Sequence, residues 1–236
     1  MTIEVVGFDG DDTLWESETE FAVTHDRFRA LLADHVPAAA LDARLLDTER
    51  ANLALYGYGV KGFTLSLIET ALDVAGDALT AGDVRAILQA GKELLAHDVV
   101  LCAGAVDAVR AATAAGHRVL VITKGDIFHQ ESKVARSGFA ELVEAVEIVS
   151  EKDVASYARV LRRHDVDPAT FVMVGNSLKS DAMPVLALGG AAVHVPHPLT
   201  WALESPDDEG AVRAHGRFRE VASLAELAPA LADLDK

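Results

Sequence analysis

The chain carries a single cysteine, Cys102, among 236 residues. One thiol cannot close an intrachain disulfide, so no disulfide framework holds this fold, and the usage suits a reducing cytoplasm. Basic residues are also few: Lys and Arg number 21 against 37 Asp and Glu, for a net charge of −16. Binding along a phosphate backbone requires clustered Lys and Arg, which argues against nucleic acid as a partner. A small phosphate ester stays open, because one local cation can neutralise such a site. No apolar run reaches the length of a membrane span, and no basic segment precedes the short run Ile3–Phe8. The expectation is a soluble cytoplasmic protein with no membrane partner. Internal repeats and low-complexity linkers are missing too.

What the chain does have is apolar mass. Half its residues are hydrophobic, enough for one large domain or for a core domain with an insertion. Ile3 to Phe8 is apolar and β-branched, which reads as a buried strand. It stops in two carboxylates, Asp9 and Asp11, with Gly10 between them and Thr13 after. Gly10 permits a sharp turn, so both acids can enter one small space. Crowded carboxylates repel, and they persist mainly where a cation or a proton-transfer task requires them. Taken alone, the pair reads equally well as an acidic turn after an edge strand.

From Trp15 to about His97 the pattern is helical, with no convincing strand. Phe21, Phe28 and Leu32 recur at helical spacing, and Pro37 breaks that helix. A second helix is expected over Ala38–Leu55, and a third is marked by Leu65, Ile68 and Leu72. Thr80 and Asp83 suggest a capping box for a fourth, with Val84, Ile87, Leu88, Leu94 and Leu95 as its stripe. From Asp98 onward strands and helices alternate. Strands are expected at Val119–Ile122, Val146–Val149, Phe171–Val174 and Ala191–Val195. Leu178–Leu188 reads as a helix interrupted by Pro184, Glu204–Gly210 as a solvated loop, and Ser223 with Glu226 as the capping box of the last helix. Repeated β–α units imply a parallel sheet covered on both faces.

Ligands of an open parallel sheet collect at the carboxyl ends of its strands. Those ends hold Asp9 and Asp11, then Thr123-Lys124-Gly125-Asp126, then Ser150-Glu151-Lys152-Asp153, and finally Gly175-Asn176-Ser177 through Asp181. The set contains what phosphoryl transfer requires, which is mostly positioning and neutralisation of charge. Asp9 suits a nucleophile, Asp11 a general acid and base, Thr123 a hydroxyl donor and Lys152 a fixed positive charge. A carboxylate facing a phosphate needs a divalent cation between them. Mg²⁺ suits Asp9, the backbone carbonyl of Asp11 and Asp181. Singly, each residue has a plainer explanation: Thr123 could cap a helix, Lys152 could be a surface lysine and Asp181 could face outward. Lys124, Lys133 and Lys179 are rival cations expected in solvent, Lys124 being also a candidate substrate contact. Joint order and strand-end placement favour the functional set.

The apolar run followed by Asp9-x-Asp11-x-Thr13 resembles motif I of the haloacid dehalogenase (HAD) superfamily of phosphohydrolases. Thr123 resembles motif II, Lys152 motif III, and Gly175-Asn176-Ser177 to Asp181 motif IV. The resemblance spans nearly the whole core. It implies an α/β fold, a Rossmann-like parallel sheet with helices on both faces, plus an inserted all-α cap similar to the family's C1 type. Residues 1–14 and 98–236 are then the core and 15–97 the cap. It also implies a Mg²⁺-dependent phosphatase of small phosphorylated metabolites acting through an aspartyl phosphate, with Asp9 attacking phosphorus and Asp11 as acid and base. One departure matters: Asn176 stands where the motif often has Asp. An amide oxygen can still orient a metal-bound water, so the implied metal residues are Asp9, Asp11, Asp181 and Asn176.

Gly57-Tyr58-Gly59-Val60-Lys61-Gly62 matches the dinucleotide fingerprint, but helices flank it and no β–α–β unit surrounds it. It is read instead as a flexible cap loop whose Tyr58 and Lys61 could meet the substrate. His25, His129, His194 and His197 show no metal-ligand spacing and are expected to be structural or solvated. Asp11 and Asp181 argue against 2-haloacid dehalogenation, which needs neither, and Asp11 disfavours phosphonate hydrolysis. A phosphomutase uses the same acids. A non-catalytic binding or regulatory protein has Asn176 as its only support. Both a monomer and a homodimer are compatible with the sequence.

Overall fold

A computed structural model describes residues 2–206 and 208–235 of the chain. Strand β1 (Val5–Phe8) is buried along its whole length. The chain then enters four helices: α1 (Glu18–Leu31), α2 (Ala38–Tyr56), α3 (Val60–Ala75) and α4 (Ala81–Ala96). Alternation follows, with α5 (Ala105–Ala114), β2 (Arg118–Lys124), α6 (Ile127–Ser137), β3 (Ala145–Val149) and α7 (Val154–Arg163). The last elements are β4 (Phe171–Gly175), α8 (Met183–Ala187), β5 (Ala191–His194), α9 (Glu209–Arg213), β6 (Phe218–Glu220) and α10 (Leu227–Leu234).

The strands form one six-stranded parallel sheet in the order β3-β2-β1-β4-β5-β6. Side chains alternate across it. Val6, Phe8, Val119, Val121, Val172 and Val174 share one apolar cluster with Trp15, Val109, Leu227 and Leu231. Val5, Leu120, Ile122, Phe171 and Met173 share another with Tyr157, Val160 and Leu161. Two buried faces explain why these strands are continuous apolar runs. Strand order reverses direction at β1, between β2 and β4, so the crevice above its carboxyl end is the switch point of the sheet.

The chain divides into two compact units: residues 1–17 with 99–236, and residues 18–98. The helical unit has its own core, including Phe28, Leu41, Leu45, Phe63, Leu67 and Ile87. Thr80 and Asp83 form both bonds of the capping box: Asp83 N–H donates to Thr80 Oγ1 (3.2 Å) and Thr80 N–H to Asp83 Oδ2 (2.8 Å). Helix α3 departs from its expected phase. Leu65 and Leu72 are exposed, while Val60, Phe63, Leu67 and Ala71 are buried. The glycine-rich loop is accordingly short. Only Gly57 to Gly59 lies between helices, Lys61 is exposed in the first turn of α3, and Gly62 is helical. A Cβ on Gly62 would meet the Gly57 carbonyl oxygen at 2.8 Å, so this glycine serves close approach rather than bending.

In the sheet unit, Leu178–Leu188 is two pieces rather than one helix. A π-helical turn (Leu178–Ala182) is followed by α8, with Pro184 in its first turn, where a missing N–H costs no hydrogen bond. Ser223 makes no side-chain cap; Glu226 accepts instead from the Ala222 N–H (3.0 Å). The 204–210 stretch is not wholly solvated, since Glu204 ends a 3₁₀ turn with its side chain 15% exposed and α9 begins at Glu209. Residue 207 of that stretch lies outside the described residues.

Candidate active site

Asp9 directly follows β1, and its N–H donates to the Val174 carbonyl (2.8 Å), which fixes it against β4. The chain then winds tightly: the N–H groups of Leu14 and Trp15 both donate to the Gly10 carbonyl, at 2.8 and 3.1 Å. Gly10 serves this turn through space, not through a left-handed conformation. A Cβ there would lie 2.4 Å from the Trp15 ring and 3.1 Å from Thr123 Oγ1, whereas the left-handed residue is Asp12, at φ 60°.

Lys152, just beyond β3, is buried and bridges two acids. Its Nζ donates to Asp9 Oδ1 at 2.5 Å and to Asp181 Oδ1 at 2.7 Å. Burial, followed by the nearby Asp181 charge, raises the Asp9 carboxyl to about 8, although Lys152 opposes them. Burial alone would lower Lys152, but the two carboxylates outweigh it and raise its pKa.

Asp11 points into a different set of donors. Lys133 Nζ lies 2.5 Å and Trp15 Nε1 2.6 Å from Oδ1, and Gln130 Nε2 lies 2.8 Å from Oδ2. Burial pushes this carboxyl up, yet the Lys133 charge and the three donors prevail and hold it below its ordinary value. Gln130 Nε2 also lies 2.7 Å from the Lys124 carbonyl and 3.0 Å from Thr123 Oγ1; its two protons are shared among these acceptors, and the Thr123 hydroxyl keeps its own proton to give. Lys133 is thus not the solvated lysine expected; it is buried on the inner face of α6 with Gln130 and Val134. Neither Gln130 nor Lys133 was among the expected site residues. The available signal was their i, i+3 spacing beside Val134, two polar residues on a face that had to be buried.

After β4 the chain turns at Gly175, where a Cβ would meet Asp181 Oδ2 at 2.1 Å. That oxygen accepts from the Ser177 N–H (3.0 Å). One end of the Asn176 amide stands 3.2 Å from Asp9 Oδ2 and 3.3 Å from the Asp11 carbonyl oxygen. With nitrogen at that end it donates to both; with oxygen there, three oxygens converge as a cation would require. Lys124 is half-buried rather than solvated, with Nζ 2.7 Å from Ser180 Oγ and 2.5 Å from Glu204 Oε1. Lys179 Nζ donates to the Leu203 carbonyl (2.7 Å). Ser177 was expected within the stretch after β4, but its partner Glu204 was not, because Glu204 lies 24 residues from Ser180 in an acidic, irregular stretch. Tyr58 and Lys61 belong to the helical unit.

A second group of metal-capable side chains lies on the same unit. Asp12, Glu16 and His197 each bring one ligand atom within 4.8 Å of the others, so this group could hold an ion. His197 is therefore more than a solvated histidine: its Nε2 lies 3.3 Å from Glu16 Oε2 and its Nδ1 2.8 Å from the Leu199 carbonyl.

A parallel sheet with paired carboxylates at its switch point defines a class of α/β enzymes whose chemistry sits beyond β1. The profile of the haloacid dehalogenase-like hydrolases matches residues 3–189, and the chain belongs to that family. A haloacid dehalogenase-like family hydrolase from Xanthomonas campestris is 42% identical, covering 99% of this chain and 92% of its own, at a TM-score of 0.87. The fold is also that of a predicted phosphoglycolate phosphatase from Haemophilus somnus (16% identity, 97% and 98% coverage, TM-score 0.63). It is shared too by a 2-haloacid dehalogenase from Pseudomonas syringae pv. tomato (20% identity, 98% and 99% coverage, TM-score 0.62). Among curated proteins, none matches the chain. Among the described residues, no helix is long and apolar enough to cross a membrane.

Proposed function

We propose that the chain is a Mg²⁺-dependent phosphatase that hydrolyses phosphate monoesters of small metabolites. The observation that carries this reading is the convergence of Asp9 Oδ2, the Asp11 carbonyl and the Asn176 amide beside Asp181. Mg²⁺ takes oxygen ligands, which this set supplies, whereas the Asp12, Glu16 and His197 group offers a nitrogen better suited to a transition metal. When bound, the ion would neutralise phosphoryl charge and favour the ionised form of Asp9.

An oxygen of Asp9 attacks phosphorus, forming an acyl phosphate as the bond to the ester oxygen breaks. Asp11 acts as the acid from its protonated form, a minority that Lys133 keeps small; it gives that proton to the leaving oxygen and regains one from the water that attacks phosphorus and frees Asp9. Thr123 donates its hydroxyl to a phosphoryl oxygen, and Lys152 keeps Asp9 and Asp181 together. The helical unit acts as a cap, with Tyr58 and Lys61 meeting the part of the substrate that is not phosphate; Lys124 is a further substrate contact.

A screen of phosphorylated metabolites with EDTA or Mg²⁺ tests the proposal. Phosphate release should vanish with EDTA and return with Mg²⁺. Halide release from a chloroacid without metal would overturn it in favour of dehalogenation.

A further inference from the structure

The segment after β5 returns over the strand ends and is latched there by one carboxylate. Glu204 Oε2 accepts from Ser180 Oγ (2.5 Å) and Ser177 Oγ (2.7 Å), and Oε1 pairs with Lys124 Nζ (2.5 Å). Lys124 Nζ also donates to Ser180 Oγ (2.7 Å), and Ser177 Oγ accepts from the Ser180 N–H (3.0 Å). Each polar side chain of this cluster is bonded to at least two of its other residues, which is what rigidifies a buried polar network. The cluster continues inward: the Ser177 N–H donates to Asp181 Oδ2 (3.0 Å), and Tyr157 Oη donates to the Ser180 carbonyl (3.1 Å). A second strut, the Lys179 ammonium on the Leu203 carbonyl, holds the same loop to the same turn.

A π-helical turn is rare and found frequently at functional sites. This one carries Asp181 and follows Asn176. The hydroxyls of Ser180 within it and of Ser177, which caps it, both donate to Glu204, more than twenty positions downstream.

We infer that Glu204 is a positioning residue for the divalent cation: its carboxylate on Ser177, Ser180 and Lys124 fixes the turn that presents Asn176 and Asp181. The inference rests on the reading that Asp9, Asn176 and Asp181 hold such an ion. Residues that orient metal ligands from behind typically cost about ten- to a hundredfold in metal affinity when removed.

The test is Mn²⁺ binding followed by electron paramagnetic resonance, on wild type, Glu204→Ala and Glu204→Gln. Mg²⁺ activation of p-nitrophenyl phosphate hydrolysis is measured alongside. Glu204→Ala should weaken Mn²⁺ binding about tenfold or more and raise half-activating Mg²⁺ by the same factor. Glu204→Gln keeps one acceptor for the serines and should fall between; it decides the matter if Glu204→Ala does not fold. Arg118→Ala, which removes the bonds of Arg118 to Glu144 and the His164 carbonyl at the other end of β2, controls for general destabilisation. Mn²⁺ affinity unchanged in the Glu204 variants, or weakened equally in Arg118→Ala, would overturn the inference. Wild type that binds no Mn²⁺ would instead sink the metal reading beneath it.

Discussion

Asp9 and Asp11 stand two residues apart and hold their protons with opposite strength. Asp9 is buried beside Asp181 and shares one lysine with it, so its carboxyl is raised to about 8. Asp11 has a lysine and an indole, and shares the Gln130 amide, and is lowered. Between the unfolded value near 3.8 and about 8, folded Asp9 keeps a proton that the unfolded chain has lost. Its contribution is therefore fully present at low pH and disappears as pH rises through 8. In EDTA, Asp9→Asn should raise the melting temperature at pH 8 by a few degrees and by less at pH 5, at roughly 2–4 °C per kcal/mol. The same variant should lose phosphatase activity by at least about a thousandfold, since an amide does not attack phosphorus. A folded Asp9→Asn protein with wild-type turnover would refute the nucleophile. Removing Lys133 takes away the charge that keeps Asp11 ionised. Lys133→Met should move the limb of kcat/KM governed by Asp11 to higher pH, most visibly with an alkyl ester that needs its leaving oxygen protonated. A pH profile superimposable on wild type would dissociate Lys133 from the acid–base step.

The turn from Gly175 to Ala182 shows what a local pattern carries and what it cannot. Apolar runs ending in Asp9, Thr123 and Gly175 made the central strands legible, because burial on both faces leaves little choice of residue. Strand β6 was not legible: Phe218, Arg219 and Glu220 form an edge pairing only with β5, and its register comes from tertiary contact. Asp9, Thr123, Lys152 and Asp181 announced themselves by their places at strand ends. Gln130, Lys133 and Glu204 did not, since each acts through a partner far along the chain. Gly175 is a constraint of the same kind. Gly175→Ala would drive a methyl into Asp181 Oδ2, and should lower stability by about 1–3 kcal/mol and weaken Mn²⁺ binding together. The Glu204 latch has its own pH signature. Burial raises this carboxyl, but Lys124 and the serine hydroxyls prevail and lower it, so its contribution holds above about 4.5 and is lost as pH falls below. Wild type should lose more stability than Glu204→Gln on acidification below that value; equal losses would show that the latch does not titrate.

At the scale of the molecule, the proposed function has consequences for how an ester arrives. A chain of net charge −16 repels a dianionic ester over tens of ångströms at low salt. With Mg²⁺ saturating, kcat/KM should rise by roughly twofold as salt screens that repulsion, whereas a neutral inhibitor should bind equally well throughout. A fall with added salt would mean that local positive charge steers the ester instead. Substitutions at Tyr58 or Lys61 should redistribute activity among metabolites more than they alter p-nitrophenyl phosphate hydrolysis. An equal loss on all substrates would reassign the two residues to folding of the helical unit.

The central place of β1 has a consequence for the order in which the protein takes shape. Val5 pairs with Arg118 on one side and Phe171 on the other, so both neighbours are made more than a hundred residues later. The helices of residues 18–98 pack largely on one another and can close early, through contacts of short sequence separation. During synthesis β1 therefore leaves the ribosome with two open edges, gains its first partner when β2 appears and its second only with β4. Asp9 is made more than a hundred residues before the strands that complete its surroundings.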